Sequence, residues 1–211
     1  GRSAIRDQYG SEPIELHLMP FTARDAQTFL HKELGSDRAS EVVRHFEDRG
    51  IEALLGNPQT LLMIASVARA NKLPNSVGAL FENYVEIAWS EHSDLKPDSV
   101  LLKLGSDVVC DALGAMFCAL ILTGSDSVSR RPRHIALESG DLPIAEVAAL
   151  PGGTILSDVL DSRLVHTSEA ERFTYPHRRI GEFMGAKWLA RQATTPRKRR
   201  RLIAQFHSQG L

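Results

Sequence analysis

No Gly-x-x-x-x-Gly-Lys-Ser/Thr phosphate loop occurs anywhere in the 211 residues; Gly152-Gly153 lacks the lysine and the hydroxyl that would have to follow it. The chain is therefore not a complete phosphate-loop NTPase. No Cys/His set has metal-ligand spacing, and no Ser/His/Asp or paired-carboxylate constellation stands out, so no complete active site can be read. Cysteine is scarce, with only Cys110 and Cys118. On one predicted helix they would sit about 12 Å apart at helical rise, roughly double what a disulfide tolerates. They read as small core residues of a reducing compartment. The N-terminal residues contain no apolar leader segment, and the apolar run Ala112 to Leu122 is too short to span a bilayer. A cytoplasmic protein without a membrane partner is expected. Nor is there an excess of one charge: 25 Lys+Arg against 26 Asp+Glu give a formal net charge of -1, which argues against bulk capture by nucleic acid. The basic residues Arg191 and Arg197 to Arg201 are crowded near the end, where they read as a solvated face or the start of a further helix.

What is present is ordinary globular material, 43% hydrophobic and 24% charged, patterned mainly for helix. Ile14, Leu16 and Leu18 alternate with polar residues as a half-buried strand does. Thr22 and Asp25 form a capping-box start for a helix from Ala23 to Leu34 that Gly35 closes. A second helix is predicted from about Ala39 to Arg49. Asn57-Pro58 is a favoured N-cap and first helical residue, Ser76 caps another helix to about His92, and Lys96-Pro97-Asp98 punctuates the chain. The longest helix is predicted from about Ser99 to Leu122. Thr123 to His134 is polar and rich in breakers, and reads as a loop. Short helices from about Leu142 to Leu150 and Ile155 to Asp161 are predicted next. Arg163 to Thr167 and Arg172 to Tyr175 read as two short strands. Two short helices, a hairpin and a closing helix are the order of a winged helix-turn-helix.

The chain is organised around Arg172 to Leu189. An aromatic strand (Phe173, Tyr175) runs through Pro176 and His177 into a helix whose Ile180, Met184 and Trp188 recur at i, i+4, i+8, with Phe183 beside them on the face to be buried. His177 falls at the helix start, where unpaired backbone N–H groups and the helix dipole favour an anion.

An aromatic strand, a histidine and a helix carrying Glu182, Phe183, Ala186 and Leu189 together resemble the end of the winged-helix region of NACHT-type STAND signalling NTPases. Three further stretches are similar to that family in the same order: Leu18-Met-Pro-Phe21 before a helix, Leu54-Leu-Gly-Asn-Pro58 before Leu61-Leu62, and Leu73-Pro74 before Leu80-Phe81. The resemblance implies a mainly α fold, a helical domain followed by a winged helix-turn-helix with one short β-hairpin. It divides the chain into the end of a nucleotide-binding core (1–21), a helical domain (22–122), a loop (123–140), a winged-helix domain (141–193) and the start of a further helical segment (194–211). It also implies nucleotide-binding roles for His177 (phosphate), Pro58 (base) and Arg2 (phosphate sensing).

On this reading the chain is a regulatory fragment that closes over ADP or ATP, with Mg, only when a nucleotide-binding core of the parent chain supplies the rest of the site. Its expected partners are that core and further copies of itself on activation, in signalling or antiviral defence. ATPase activity would belong to the larger parent alone. The alternative is a winged-helix DNA-binding regulator. Its recognition helix would be Ile155 to Asp161, which has Asp158 and Asp161 but no lysine or arginine. That suits a phosphate-lined groove poorly.

Overall fold

The computed structural model describes residues 19–95, 103–169 and 171–208. Arg2, the predicted strand at Ile14 to Leu18 and the Lys96-Pro97-Asp98 break lie outside the described residues. The protein is mainly helical, at 67% helix, with a small four-stranded sheet. Backbone contacts divide it into two compact units, Gly1–Ala65 and Ser66–Leu211.

In the first unit the capping box forms as read. Asp25 N–H donates to Thr22 Oγ1 at 3.2 Å, and Thr22 N–H donates to Asp25 Oδ2 at 2.9 Å. They open α1 (Ala23–Leu34). Gly35, at φ +84°, turns the chain directly into α2 (Ser36–Glu47), three residues earlier than the periodicity suggested. Ala26 and Leu30 of α1 are buried, as are Ala39, Val42 and Phe46 of α2. A 3₁₀ turn at Glu52–Gly56 buries Leu54 and Leu55, and Phe21 N–H donates to Gly56 O at 2.9 Å. Asn57 Oδ1 then accepts Thr60 N–H at 3.1 Å, so Asn57 caps α3 (Pro58–Arg69) with Pro58 as its first residue.

The second unit takes up the last residues of α3 and continues through α4 (Val77–Leu95). Ser76 caps α4, its Oγ accepting Ala79 N–H at 3.1 Å. The predicted helix from Ser99 does not run through: Gly105, at φ +79°, breaks the backbone, and α5 spans Ser106–Thr123. By length and composition α5 could cross a membrane, with mean hydropathy 1.7 over 18 residues, a longer apolar stretch than Ala112 to Leu122. Here it is the core helix, buried at Val109 and from Ala112 through Leu120. A helix apolar on all sides belongs in an interior.

The expected loop at 123–140 is largely ordered structure. It contains strand β1 (Val128–Ser129) and helix α6 (Arg133–Glu138). After it come β2 (Leu142–Pro143), α7 (Ile144–Ala148), a 3₁₀ turn (Gly153–Ile155), α8 (Leu156–Val159), β3 (His166–Glu169) and β4 (Arg172–Thr174). The sheet order is β2-β1-β4-β3. β1 is parallel to β2 and antiparallel to β4, with Val128 opposite both Leu142 and Phe173. β3 and β4 form the expected hairpin, irregular between Thr167 and Glu169. β1 is thus an inner strand, and Ser127, Val128 and Ser129 are buried.

Polarity misleads here because the polar groups bond to one another inside, Asp141 through its Oδ1. Ser127 Oγ donates to Asp141 Oδ1 at 2.6 Å, and Arg172 Nη2 donates to the same oxygen at 2.8 Å. Arg172 Nε reaches Ser127 Oγ at 3.1 Å. Asp141 thereby joins the segments before β1 and β2 to β4; the helix predicted from Leu142 begins instead at Ile144, after β2.

The chain closes with α9 (Arg178–Gln192) and α10 (Pro196–Ser208). α9 packs along α5, and glycines set the distance. A Cβ on Gly114 would lie 2.7 Å from Trp188 Cβ and 2.9 Å from Met184 O; one on Gly185 would lie 3.0 Å from Cys118 N. Ile180, Met184 and Trp188 are buried as predicted, but Phe183 is only partly so. It turns toward α4, with its ring 5.6 Å from that of Phe81.

Gly114→Ala should therefore cost about 1–3 kcal/mol, the usual penalty for overpacking. Gly78, whose added Cβ would meet only Ser76 Oγ at 3.9 Å, is the control, and Gly78→Ala should stay within about 0.5 kcal/mol of the parent. Urea unfolding of both variants measures the difference, and equal midpoints would mean that the helices can separate without cost.

Candidate functional site

His177 is the N-cap of α9, in extended backbone at φ -153° and ψ 133°, and Arg178 is the first helical residue. Its Nδ1 accepts the backbone N–H of Arg179 at 3.0 Å. That bond decides the tautomer. A nitrogen that accepts an N–H carries no proton, so the proton of the neutral ring lies on Nε2. Nε2 is buried and has no hydrogen-bond partner among the described residues. The ring pKa is pushed below the ordinary histidine value, first by burial and then by the Arg179 charge, with Glu182 opposing weakly. His177 is accordingly a neutral ring whose Nε2–H has no acceptor among the described residues.

The surroundings of His177 are strongly fixed. Tyr175 packs on α9 where Gly181 leaves room, since a Cβ there would come within 2.8 Å of the tyrosine ring. The same ring meets Phe117 of α5 edge-on, at 6.2 Å between centroids. Arg178 pairs with Glu182 one turn on, at 2.9 Å. Arg130 lies over the Phe173 ring at 4.9 Å and donates to Ser157 O at 2.6 Å.

Of the other residues singled out in the sequence, Pro58 opens α3 in the first unit, exposed. Arg2 lies outside the described residues. Within the second unit, His177 is the one residue to which the resemblance gave a nucleotide contact. The thiols are free, and burial raises both: Cys110 upward, Cys118 to about 11. Neither has the depressed pKa of a nucleophile. Among the described residues no group of three His, Cys, Asp or Glu side chains is placed to hold a metal.

One feature of the second unit escapes sequence reading altogether. A cleft of about 320 Å³ opens among α4, α5 and α9. Its walls come from helices some twenty to one hundred residues apart, so no local motif signals it.

No family model matches the chain, and no curated protein or solved structure does.

Because the folded state resists protonation of His177 while an unfolded histidine takes a proton near pH 6.5, its contribution to stability is present above that pH. It is lost as the pH falls through the lower folded value. Asparagine is also a good N-cap but does not titrate. The stability lost between pH 7.5 and pH 5.5 should therefore be smaller in His177→Asn than in the parent, as urea unfolding would show. An identical loss in both would mean that His177 does not resist its proton.

Proposed function

We propose that the chain is the helical and winged-helix part of a NACHT-like signalling NTPase, which closes over ADP or ATP held mainly by a nucleotide-binding core elsewhere in the parent. The observation that carries this reading is His177: capped through Nδ1, it keeps a buried Nε2–H donor without a partner. A nucleotide phosphate is the acceptor that the family resemblance supplies. The bound nucleotide would supply a charged phosphate oxygen, together with Mg, and the protein's part is to hold the donor and to keep it neutral and dry.

The strand order supports the winged-helix half of the reading. β1-β4-β3, with α6, α7 and α8 lying between β1 and β3 in sequence and β3-β4 as the wing, is the order that a winged helix has. The DNA-binding alternative draws less support. The helix in the recognition position, α8, is four residues long, buries Leu156 and Val159, and exposes Ser157 and Asp158. A helix with no cation to offer has little to hold a phosphate backbone.

In this mechanism nucleotide exchange releases the His177 contact and biases an open, self-associating state in signalling or defence. A hydrogen bond to a charged group is worth roughly 1.5–3 kcal/mol, about one to two powers of ten in a two-state balance.

In the polypeptide that includes the nucleotide-binding core, His177→Asn should speed release of labelled ADP by about 10- to 100-fold while leaving the unfolding midpoint near that of the parent. The asparagine Oδ1 keeps the cap, but its Nδ2 amide stops short of the position that the imidazole Nε2 occupies, so the long-reach donor is lost. Unchanged release in that variant would remove the phosphate role and leave His177 as a helix cap.

A further inference from the structure

The cleft among α4, α5 and α9 has a defined chemistry. Its inner wall is apolar and aromatic, formed by Val85 and Trp89 of α4, Cys110 of α5, and Phe183, Met184 and Trp188 of α9. Trp188 is held in place because its indole N–H donates to Pro151 O at 2.9 Å. The rim is charged, with four carboxylates (Glu82, Glu86, Asp107 and Asp111) against two cations (Lys187 and Arg191).

Both cations are already satisfied within the rim. Lys187 Nζ lies 2.9 Å from Glu82 Oε1, and Arg191 Nη1 lies 2.6 Å from Asp111 Oδ1. Lys187 also stands over the Phe183 ring at 5.7 Å. Of the remaining carboxylates, Glu86 is paired at 2.8 Å with Lys72, which does not line the cleft. Asp107, exposed in the first turn of α5, has no ion-pair partner among the described residues.

We propose that this cleft binds a small organic cation: an aromatic or aliphatic body bearing one ammonium group. The volume is at the lower end of the range for small-molecule sites, about 300–1,000 Å³, and gaps between packed helices are a common place for them. An apolar body replaces water against the partly exposed Trp89 and Phe183, over a floor of buried Val85, Met184 and Trp188. The positive end meets the Asp107 carboxylate and the partly exposed Trp89 ring, since aromatic faces attract cations. An anion of the same size would find both cations already paired and would face four carboxylates. Lys187 and Arg191 thus serve as struts that tie α9 to α4 and α5 and hold the cleft open. The inference does not depend on the nucleotide reading.

The test uses three ligands with one ring and different charge: benzyltrimethylammonium, benzyl alcohol and benzenesulfonate. Trp89 and Trp188 are the only two tryptophans in the chain and both line the cleft, so intrinsic fluorescence reports on it directly, with ligand-observed NMR as a second readout. Benzyltrimethylammonium should give a saturable change, with the neutral alcohol at least about tenfold weaker, a difference of 1.4 kcal/mol. The sulfonate should not saturate. Asp107→Asn should weaken the cation by about two- to fivefold, the range for an exposed charge pair, and leave the alcohol unchanged. Equal or tighter binding of the sulfonate, no saturation with the cation in either readout, or an Asp107→Asn affinity equal to the parent's would each overturn the proposal.

Discussion

The second unit depends on how closely α5 and α9 can approach. Gly114 on one helix and Gly185 on the other remove the two side chains that would hold the backbones apart. Trp188 then lies across Gly114, buried and packed with Ala115 and Cys118. Close approach lengthens the list of atoms each side chain touches, and dispersion is summed over such contacts. The consequence reaches beyond packing. The line of α9 fixes where its N-terminus begins, and so where His177 stands. It also fixes how far the opposite face of α9 stands from α4, and so the width of the cleft.

The sheet is held in a different way. β1 and β2 have two residues each, too few for ladder bonds alone to secure them. The Ser127–Asp141–Arg172 network adds side-chain bonds that join three separate segments. Asp141 is 2% exposed, and a buried carboxylate is tolerable only when it is paired and hydrogen-bonded. Arg172 provides the pair, and the hydrogen bond to Asp141 favours its charged form still further. Arg172 also pairs with Glu169 at 3.3 Å, so one guanidinium ties the buried carboxylate to the β3–β4 hairpin. The network also explains why β1 sits inside the sheet although its neighbours in sequence are serine, aspartate and arginine.

His177 combines two demands that usually fall on different residues. A helix start needs an acceptor for its free N–H groups, and the phosphate contact we propose needs a donor. Imidazole has one nitrogen for each, and the cap assigns them. Burial supplies the rest by keeping the ring neutral, so that Nε2 remains a donor without presenting a second positive charge beside Arg179.

Most of the helical framework was legible from sequence, since local chemistry suffices for it. The Thr22–Asp25 capping box, the Asn57-Pro58 start and the Ser76 cap each act within three residues, and each forms as read. The periodic burial of Ile180, Met184 and Trp188 follows from a repeat that any amphipathic helix shows. Gly105 was a local cue too, but inside a long apolar pattern it was outweighed. What the sequence alone could not decide were the features that require distant partners. Ser127 to Ser129 has the composition of a loop and becomes an inner strand because Asp141 and Arg172 meet it from 14 and 45 residues away. Phe183 lies beside the buried stripe of its helix, yet the placement of α4 leaves it partly exposed on a cleft wall. The Nε2 of His177 is a buried donor only because tertiary packing covers it. Hydrogen bonds between neighbours in the chain are written in residue order, whereas burial is a property of surfaces that exist only once the helices have come together.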